Sequence, residues 1–165
     1  MKKFLLLLMV GIFVVGCVGC GCSQNSSSGS NSSEKFVYEV GDVIAYGDET
    51  VIVTNFEQNY DSGDPSIVPS KGKQFVKVDL TLENKSEDDI VIDAYEFKLE
   101  DSNGNLESIA IPTYSLENQF LSVELVQDGK TSGSLVFEAP INDKNLKLVY
   151  DPGFYDGDRL EINLQ

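Results

Sequence analysis

The stretch Phe75-Val76-Lys77-Val78-Asp79-Leu80-Thr81-Leu82-Glu83 indicates the fold class of this 165-residue chain. After the first residue, its apolar side chains stand at every second position, and Lys, Asp, Thr and Glu occupy the positions between them. This period of two is typical of a β-strand with one buried face, whereas a helix repeats its apolar residues every three to four positions. The stretch therefore predicts a strand whose even-numbered side chains face a core.

Similar runs recur along the chain, and together with the first they predict about eight strands. The further runs are 37–46, 51–56, 90–99, 106–111, 132–138, 146–150 and 160–164. No run has a clear helical period, so the apolar strand faces have only one another to cover them. We therefore predict an all-β protein, an antiparallel two-sheet sandwich.

Turn residues support this organisation. Asn103-Gly104 predicts a hairpin between the strand that ends near residue 102 and the run 106–111. Asp128-Gly129 opens a strand that ends at Ala139-Pro140, where proline lacks the N–H for further pairing. Residues 114–126 are ambiguous, because they fit either a helical turn or a long crossover that contains a short strand.

Residues 1–22 have the organisation of an export signal with a lipid-attachment site. Lys2 and Lys3 form a basic start, residues 4–15 are apolar, and Val14-Val15-Gly16-Cys17 fits the lipobox pattern. We predict that residues 1–16 are a lipoprotein signal peptide and that Cys17 becomes the lipidated N-terminus. Two or more acyl chains hold a protein firmly to a membrane without spanning it. The expected location is the extracytoplasmic face of the bacterial cell membrane.

Three alternatives remain open for this segment. Cys20 or Cys22 could be acylated instead of Cys17, although the residues before them fit the pattern less well. The segment could stay uncleaved as a signal anchor, although the apolar run is shorter than the roughly 20 residues of a spanning helix. The three cysteines could also share a soft metal ion, but the chain contains no histidine to complete such a site.

The rest of the chain divides into a tether and one domain. Residues 17–35 hold the lipidated cysteine and a Ser-rich stretch too poor in apolar side chains to form a core, so we predict a flexible tether. Residues 36–165 have the ordinary length of a single domain. Loss of residues 1–16 would change 12 basic and 27 acidic residues to 10 and 27, a net charge of −17. This acidity argues against nucleic acid and favours neutral or cationic partners.

The absence of histidine and the position of the cysteines exclude several kinds of catalytic and metal site from the domain. The chain has no histidine, and all its cysteines lie before residue 23. The domain therefore has no His-assisted nucleophile, no ordinary zinc site and no internal disulfide. We predict no cofactor and no catalytic residue. The alternative is a hydrolase of cell-wall polymers that uses a pair of carboxylates, because acidic residues are plentiful.

Three acidic clusters are candidate sites. Residues 101–107 are superficially similar to a calcium loop, but the glycine and the final glutamate are not where such a loop needs them. Glu87-Asp88-Asp89, with Asp93 nearby, is best explained as an exposed loop. Residues 151–159 combine aromatics and carboxylates in a Gly/Pro-rich loop, a combination that holds sugars or cationic groups, unless the aromatics cap the core. The candidate binding residues are Asp151, Phe154, Tyr155, Asp156 and Asp158.

Several segments resemble a family of bacterial surface lipoproteins. They are Val40-Gly41-Asp42, residues 72–86, residues 97–104 and residues 128–140. The resemblance covers essentially residues 36–165 and implies an immunoglobulin-like domain of no assigned function, similar to that of secreted immunoprotective antigens. Its motifs are mostly strand and turn patterns, and the family brings no catalytic residues. The resemblance therefore implies the architecture and leaves the ligand open.

The expected protein is a lipid-anchored module at the cell surface that binds an extracellular protein or glycan and catalyses nothing. Its domain is an immunoglobulin-like antiparallel two-sheet sandwich. Loops at the end of a sandwich vary while the sheets stay rigid, so the site is expected at such a loop. A structural accessory subunit of an envelope complex is a further alternative, which an exposed apolar sheet face would indicate.

Overall fold

Strands dominate the computed structural model, which describes residues 37–153 and 159–165. Two short 3₁₀ helices, Ala94–Glu96 and Ile111–Ser115, interrupt them. No helix in these residues is long and apolar enough to cross a membrane. The strands are β1 (Tyr38–Glu39), β2 (Ile44–Tyr46), β3 (Glu49–Gln58), β4 (Lys73–Asn84), β5 (Ile90–Asp93), β6 (Phe97–Glu100), β7 (Leu106–Glu107), β8 (Ser122–Leu125), β9 (Lys130–Pro140), β10 (Leu146–Tyr150) and β11 (Leu160–Leu164).

The strands form two large sheets and one ribbon. The first sheet has the order β1-β11-β10-β6-β7, the second has the order β2-β3-β4-β9, and β5 pairs with β8. Neighbouring strands are antiparallel, except that β1 and β11 are parallel. Buried side chains of both large sheets and of the ribbon meet in one hydrophobic core. The predicted all-β, immunoglobulin-like two-sheet sandwich is therefore confirmed.

The stretch from Phe75 to Glu83 lies in β4, one of the two inner strands of the second sheet. This strand pairs with β3 along one edge and with β9 along the other. Val76, Val78 and Leu82 are completely buried, and Leu80 is 1% exposed, so the predicted core face is correct. The opposite face of β4 is partly covered as well, because Phe75 is 4% exposed there.

The run 90–99 is not one strand, contrary to the prediction. Asp93 ends β5 and caps the 3₁₀ helix that follows: its carboxylate accepts a hydrogen bond from Tyr95 N at 2.9 Å, and Glu96 Oε2 accepts one from Asp93 N at 3.2 Å. This reciprocal capping box turns the chain, so that β5 joins the ribbon and β6 joins the first sheet. Tyr95 is consequently 57% exposed, whereas Phe97 is buried as expected.

Two other predicted runs are also divided. In 37–46, β1 and β2 are separated by a turn in which Gly41 has a φ of 97°, a conformation that favours glycine. Asp42 closes this turn by accepting a hydrogen bond from Glu39 N at 2.9 Å. In 106–111, β7 has two residues, and the second 3₁₀ helix starts at the end of the run. β1 and β7 both stand at sheet edges, where short strands limit pairing with other chains.

The predicted hairpin between β6 and β7 is present, with a longer loop than a two-residue turn. Glu100 pairs with Leu106, so residues 101–105 form the loop. The Asp101 carboxylate accepts hydrogen bonds from the backbone N of Asn103 and of Asn105, both at 2.9 Å. These bonds use the aspartate to hold the turn, which gives the acidic residue at the start of the loop a structural role.

The ambiguous segment 114–126 is a crossover with a short strand. β8 provides that strand, and Phe120 just before it is buried in the core. The crossover and the 3₁₀ helix before it run beside the edge of β9, where the Thr113 hydroxyl bonds with both backbone polar atoms of Val136. Part of this edge of the second sheet is therefore covered.

Candidate functional site

The predicted binding loop is described only at its base. Phe154, Tyr155, Asp156 and Asp158 lie outside the described residues, as does the predicted lipidation site Cys17. Asp151 follows β10 and is exposed, and its backbone N donates a hydrogen bond to Glu96 O at 3.0 Å. The base of the loop is thus held beside the 3₁₀ helix Ala94–Glu96, and this helix belongs to the surroundings of any site there.

A buried tyrosine marks the same end of the sandwich. Tyr150, the last residue of β10, is 0% exposed, and its hydroxyl donates a hydrogen bond to Glu49 at the start of β3. Because β10 and β3 belong to different sheets, this bond joins the two sheets. The tyrosine ring stacks on Phe97 with centroids 4.5 Å apart and meets Tyr46 edge-on at 5.7 Å. A buried tyrosine hydroxyl needs a partner, and Glu49 supplies it.

Two glutamates here are partly withdrawn from water. Burial raises the pKa of Glu49 above its ordinary value, and the negative charge of Asp48 adds to the shift. Burial also raises the pKa of Glu96, and the charges of Glu49, Asp93 and Asp151 act in the same direction. Across residues 37–153 and 159–165, neither glutamate forms an ion pair with Lys or Arg. The negative charge of these two glutamates is therefore not balanced by an ion pair within the part of the chain that the structure describes.

We call Glu49, Glu96, Tyr150 and Asp151 the acidic end. Burial first, and then the hydrogen bond to Glu49, raises the pKa of Tyr150 far above its ordinary value, so its hydroxyl remains a proton donor at physiological pH. Chemically, the acidic end can attract a cationic group, and a carboxyl with a raised pKa keeps its proton to a higher pH than an ordinary carboxyl does.

Two exposed tyrosines stand next to the acidic end. Tyr95 precedes Glu96 in the first 3₁₀ helix, and its hydroxyl lies 2.7 Å from the hydroxyl of Tyr114 in the second. This hydrogen bond raises the pKa of Tyr114. Tyr95 is 57% exposed and Tyr114 is 46% exposed, so both rings are available to a partner. No local sequence pattern predicts the pair, because 19 positions separate the two residues.

The other acidic clusters considered as candidate sites lie mainly in loops between strands. Glu87, Asp88 and Asp89 are exposed between β4 and β5, as expected, and Asp93 serves as a helix cap. Among the described residues, no group of three or more Cys, Asp or Glu side chains is arranged to hold a metal ion. Some carboxylates elsewhere are in ion pairs: Glu100, for example, contacts Lys147 at 3.1 Å and Arg159 at 3.0 Å.

Sequence reasoning placed Asp151 at the site but missed its neighbours. The predicted run 51–56 begins after Glu49, and the run 146–150 contains Tyr150 only as one of its alternating residues. The one local signal was Asp93-Ala94-Tyr95-Glu96, whose Asp and Glu at this spacing are typical of a capping box. That pattern could have located the turn and therefore Glu96. The contact of Glu49 with Tyr150 has no local signal, because the two residues come from different sheets.

Solved structures share the fold. The yjhA protein of Bacillus subtilis is similar with a TM-score of 0.61 at 19% identity, over 78% of this chain and 100% of that protein. The candidate lipoprotein ycdA of Bacillus subtilis gives 0.55 at 21% identity, over 70% of this chain and 35% of that one. The secreted protein MPT63 of Mycobacterium tuberculosis gives 0.56 at 10% identity, over 81% and 99%. At these identities the likeness shows the fold alone.

The sequence comparisons identify a family without an assigned activity. No curated protein sequence matches the chain. A family model described as a domain of unknown function, DUF4352, matches residues 38–161, a range that begins at β1 and reaches into β11. The resemblance drawn from the strand and turn motifs is thereby confirmed at the level of the family. Since the match covers most of the chain, the protein belongs to the DUF4352 family of domains of unknown function.

Proposed function

We propose that the protein is a lipid-anchored, extracytoplasmic binding module that catalyses nothing and holds its partner at the acidic end of the sandwich. One observation carries this proposal: carboxylates without a cationic partner and exposed tyrosines meet at this end in the described part of the chain. Such combinations bind cationic groups and sugars. The recognition loop continues from the same end, with Asp151, Phe154, Tyr155, Asp156 and Asp158 as its proposed contact residues.

The location is supported by two independent features. The first 22 residues have a basic start, an apolar run and a lipobox before Cys17, which together direct export and lipid attachment. Proteins of the same fold include MPT63, which is named as secreted, and ycdA, which is named as a candidate lipoprotein. A Ser-rich tether of residues 17–35 would then hold the sandwich away from the headgroups, with a reach of about 20 Å.

The contacts of Glu49 favour binding over catalysis. A general acid or base must lie within hydrogen-bond reach of the substrate. The Glu49 carboxylate accepts instead from the hydroxyl of Tyr150, a side chain with no exposed surface. Glu96 accepts from the backbone N of Asp93 and so closes the capping box. Both glutamates therefore have a structural hydrogen-bond partner. Their negative charge can still attract a cationic ligand without direct contact.

A photo-cross-linking experiment on intact cells tests the proposed site. A photoreactive amino acid at position 151 of the anchored full chain should give a defined cross-linked product. The matched control is position 64, where the exposed Asp64 lies in the loop between β3 and β4 at the opposite end of the sandwich. Equal products from both positions, or products from neither, would contradict a partner site at the acidic end.

The alternative of a carboxylate-pair hydrolase has one observation in its favour. The negative charge of Glu49 contributes to the raised pKa of Glu96, so the two carboxyls are neighbours, and a raised pKa suits a general acid. Purified protein should be incubated with insoluble cell-wall polymer, beside a Glu96→Gln variant. Release of soluble fragments by the wild type and not by the variant would establish the hydrolase. If the protein releases no more fragments than buffer does, the hydrolase is rejected and the binding module is retained.

A further inference from the structure

We propose that Tyr95, Ile111, Tyr114 and Asp93 form a docking surface for a basic segment of a partner protein, one that presents Lys or Arg side chains. We call these four residues the tyrosine surface. This inference rests on the proposed function, because it names the partner class of a binding module. It uses only residues that the structure describes, and none from the loop that follows Asp151.

Two short helices build the tyrosine surface. The hydrogen bond between the hydroxyls of Tyr95 and Tyr114 holds the two rings in one position. Ile111 and Tyr114 are three residues apart in a 3₁₀ helix, where side chains at this spacing lie on the same face. Ile111 is 68% exposed, more than either tyrosine. Tyrosine rings that are already held in place lose little conformational freedom on binding, which makes them effective contact residues.

The two short helices pack against the core through residues other than those of the tyrosine surface. The first 3₁₀ helix buries Ala94, and the second buries Pro112 and Thr113. Tyr95 and Tyr114 instead point their rings to solvent and bond to each other. Large apolar side chains that cluster on a surface mark an interaction site more often than isolated ones do.

Charge selects the class of partner. Between residues 86 and 129, Lys98 is the only basic residue, and every other charged residue is acidic. Lys98 itself donates a hydrogen bond to Ser108 Oγ at 3.0 Å. Asp93 lies at the tyrosine surface, since its carboxylate accepts from Tyr95 N and its charge acts on the hydroxyl of Tyr114. A Lys or Arg side chain over a tyrosine ring would gain both cation–π attraction and the attraction of Asp93.

A neutral glycan fits these features less well than a basic protein segment. Sugars stack on aromatic rings, but a neutral sugar carries no charge to complement the carboxylate of Asp93. A peptide with Lys or Arg complements the charge and can place its aliphatic side-chain stems against Ile111. Electrostatic attraction of this kind also weakens as salt screens the charges, which provides a readout that stacking alone does not give.

Calorimetric titration of the full chain in detergent micelles tests this inference. The probes are an alternating Arg-Gly peptide, a Glu-Gly peptide of the same length, and the neutral sugar chitotriose. We expect the Arg-Gly peptide to bind, with an affinity that falls as salt is raised, and the other two probes not to bind. The Tyr95→Ala/Tyr114→Ala variant should bind the Arg-Gly peptide at least tenfold more weakly, about the effect of losing binding hot spots.

Two further variants separate recognition from folding. Asp93→Asn removes the charge but keeps a good helix cap, so its weaker binding would report the charge and not a loss of structure. Ile141→Ala changes an exposed apolar residue after β9, at the opposite end of the sandwich, and should bind as the wild type does. Far-ultraviolet circular dichroism of each variant checks the fold. If the double-alanine variant does not fold, Asp93→Asn decides the outcome.

Several outcomes would overturn the inference. Equal binding of the Arg-Gly peptide by the wild type and by a folded Tyr95→Ala/Tyr114→Ala variant would exclude the tyrosine surface. Preference for chitotriose would replace the basic partner with a glycan, and absence of binding to every probe would remove the basic partner class. Each of these results leaves the proposed function to be decided by cross-linking from position 151, so the two failures are distinguishable.

Discussion

Tyr150 shows what strand alternation predicts for a single residue. The pattern of β10 correctly placed this side chain on the core face. It could not predict that the hydroxyl would find Glu49, because the two residues are 101 positions apart and lie on different sheets. Burial of the hydroxyl and of the carboxylate would each be unfavourable alone, and the hydrogen bond between them offsets part of that cost. The acidic end therefore depends on a contact that has no local sequence signal.

The half-buried glutamates Glu49 and Glu96 predict that acidification stabilises the domain. The pKa values of Glu49 and Glu96 are raised above the ordinary 4.5, so the folded state binds their protons more tightly than the unfolded state does. Stability from this source is fully present below the unfolded pKa and is lost as the pH rises through the folded pKa. The free energy of unfolding should therefore rise as the pH is lowered through the folded pKa values of the two glutamates towards the ordinary 4.5. Chemical denaturation of the full chain across this range measures it.

At lower pH the trend should reverse. Hydrogen bonds lower the pKa of Asp79, Asp101 and Asp143 below the ordinary 3.8, although burial opposes the shift, most of all at Asp79 and Asp143. Their contribution is present above the unfolded pKa and is lost as the pH falls through the folded pKa. A Glu49→Gln/Glu96→Gln variant is the control: it should lose the gain on mild acidification and keep the later loss. An unchanged gain would assign the effect to relief of the overall negative charge.

At the scale of elements, the run 90–99 shows why a prediction from alternation alone merges β5 and β6 into one strand. Ile92 and Ala94 are buried at even positions, and Phe97 and Leu99 at odd positions. A change of phase within a run means that the chain turns between its two halves, because one strand keeps its buried face. The capping box at Asp93 supplies that turn. The change of phase and the capping box are both visible in the sequence, so this boundary could have been predicted.

Gly133 in β9 should not tolerate a side chain. A Cβ at this position would stand 2.6 Å from Phe120 Cβ and 3.1 Å from Asn118 O, both in the crossover before β8. Gly133→Ala should lower the free energy of unfolding by roughly 1–3 kcal/mol, the usual cost of overpacking, as measured by chemical denaturation. Lys130→Ala, at an exposed position of the same strand, should change it by less than about 0.5 kcal/mol. Equal stability of both variants would show that the crossover can move away from β9.

At the scale of the whole molecule, the sequence predicted the architecture better than the pairing. Amphipathic strands without helices require two sheets that face each other, whichever strands are neighbours. The parallel pair β1 and β11 and the separate ribbon of β5 and β8 depend on contacts between distant parts of the chain. The candidate site shows the same difference between local patterns and distant contacts. Asp151 was found from local composition, whereas Glu49 and Tyr150 required the observed packing of one sheet on the other.

The core should account for the stability of the domain without any covalent link. Leu80 is 1% exposed and Phe137 is 0% exposed, so Leu80→Ala and Phe137→Ala should each cost roughly 2–5 kcal/mol in chemical denaturation. Val68→Ala, at a position that is 71% exposed, is the matched control and should have little effect. Because all three cysteines lie before residue 23, a reductant should leave the unfolding temperature unchanged. A shift with reductant would mean that these thiols influence the fold.

We expect Cys17 to hold the molecule at the membrane. Its preceding residues, Val14-Val15-Gly16, fit the lipobox, and a lipid there would leave the sandwich anchored through its Ser-rich tether. Mass spectrometry of the mature N-terminal peptide should therefore show a diacylglycerol on Cys17. Cys17→Ala should release the protein from membranes or stall its processing, whereas Cys20→Ala and Cys22→Ala should leave the anchor intact. An unmodified terminus that still begins at Met1 would instead establish an uncleaved signal anchor, and release by Cys20→Ala alone would move the lipid to Cys20.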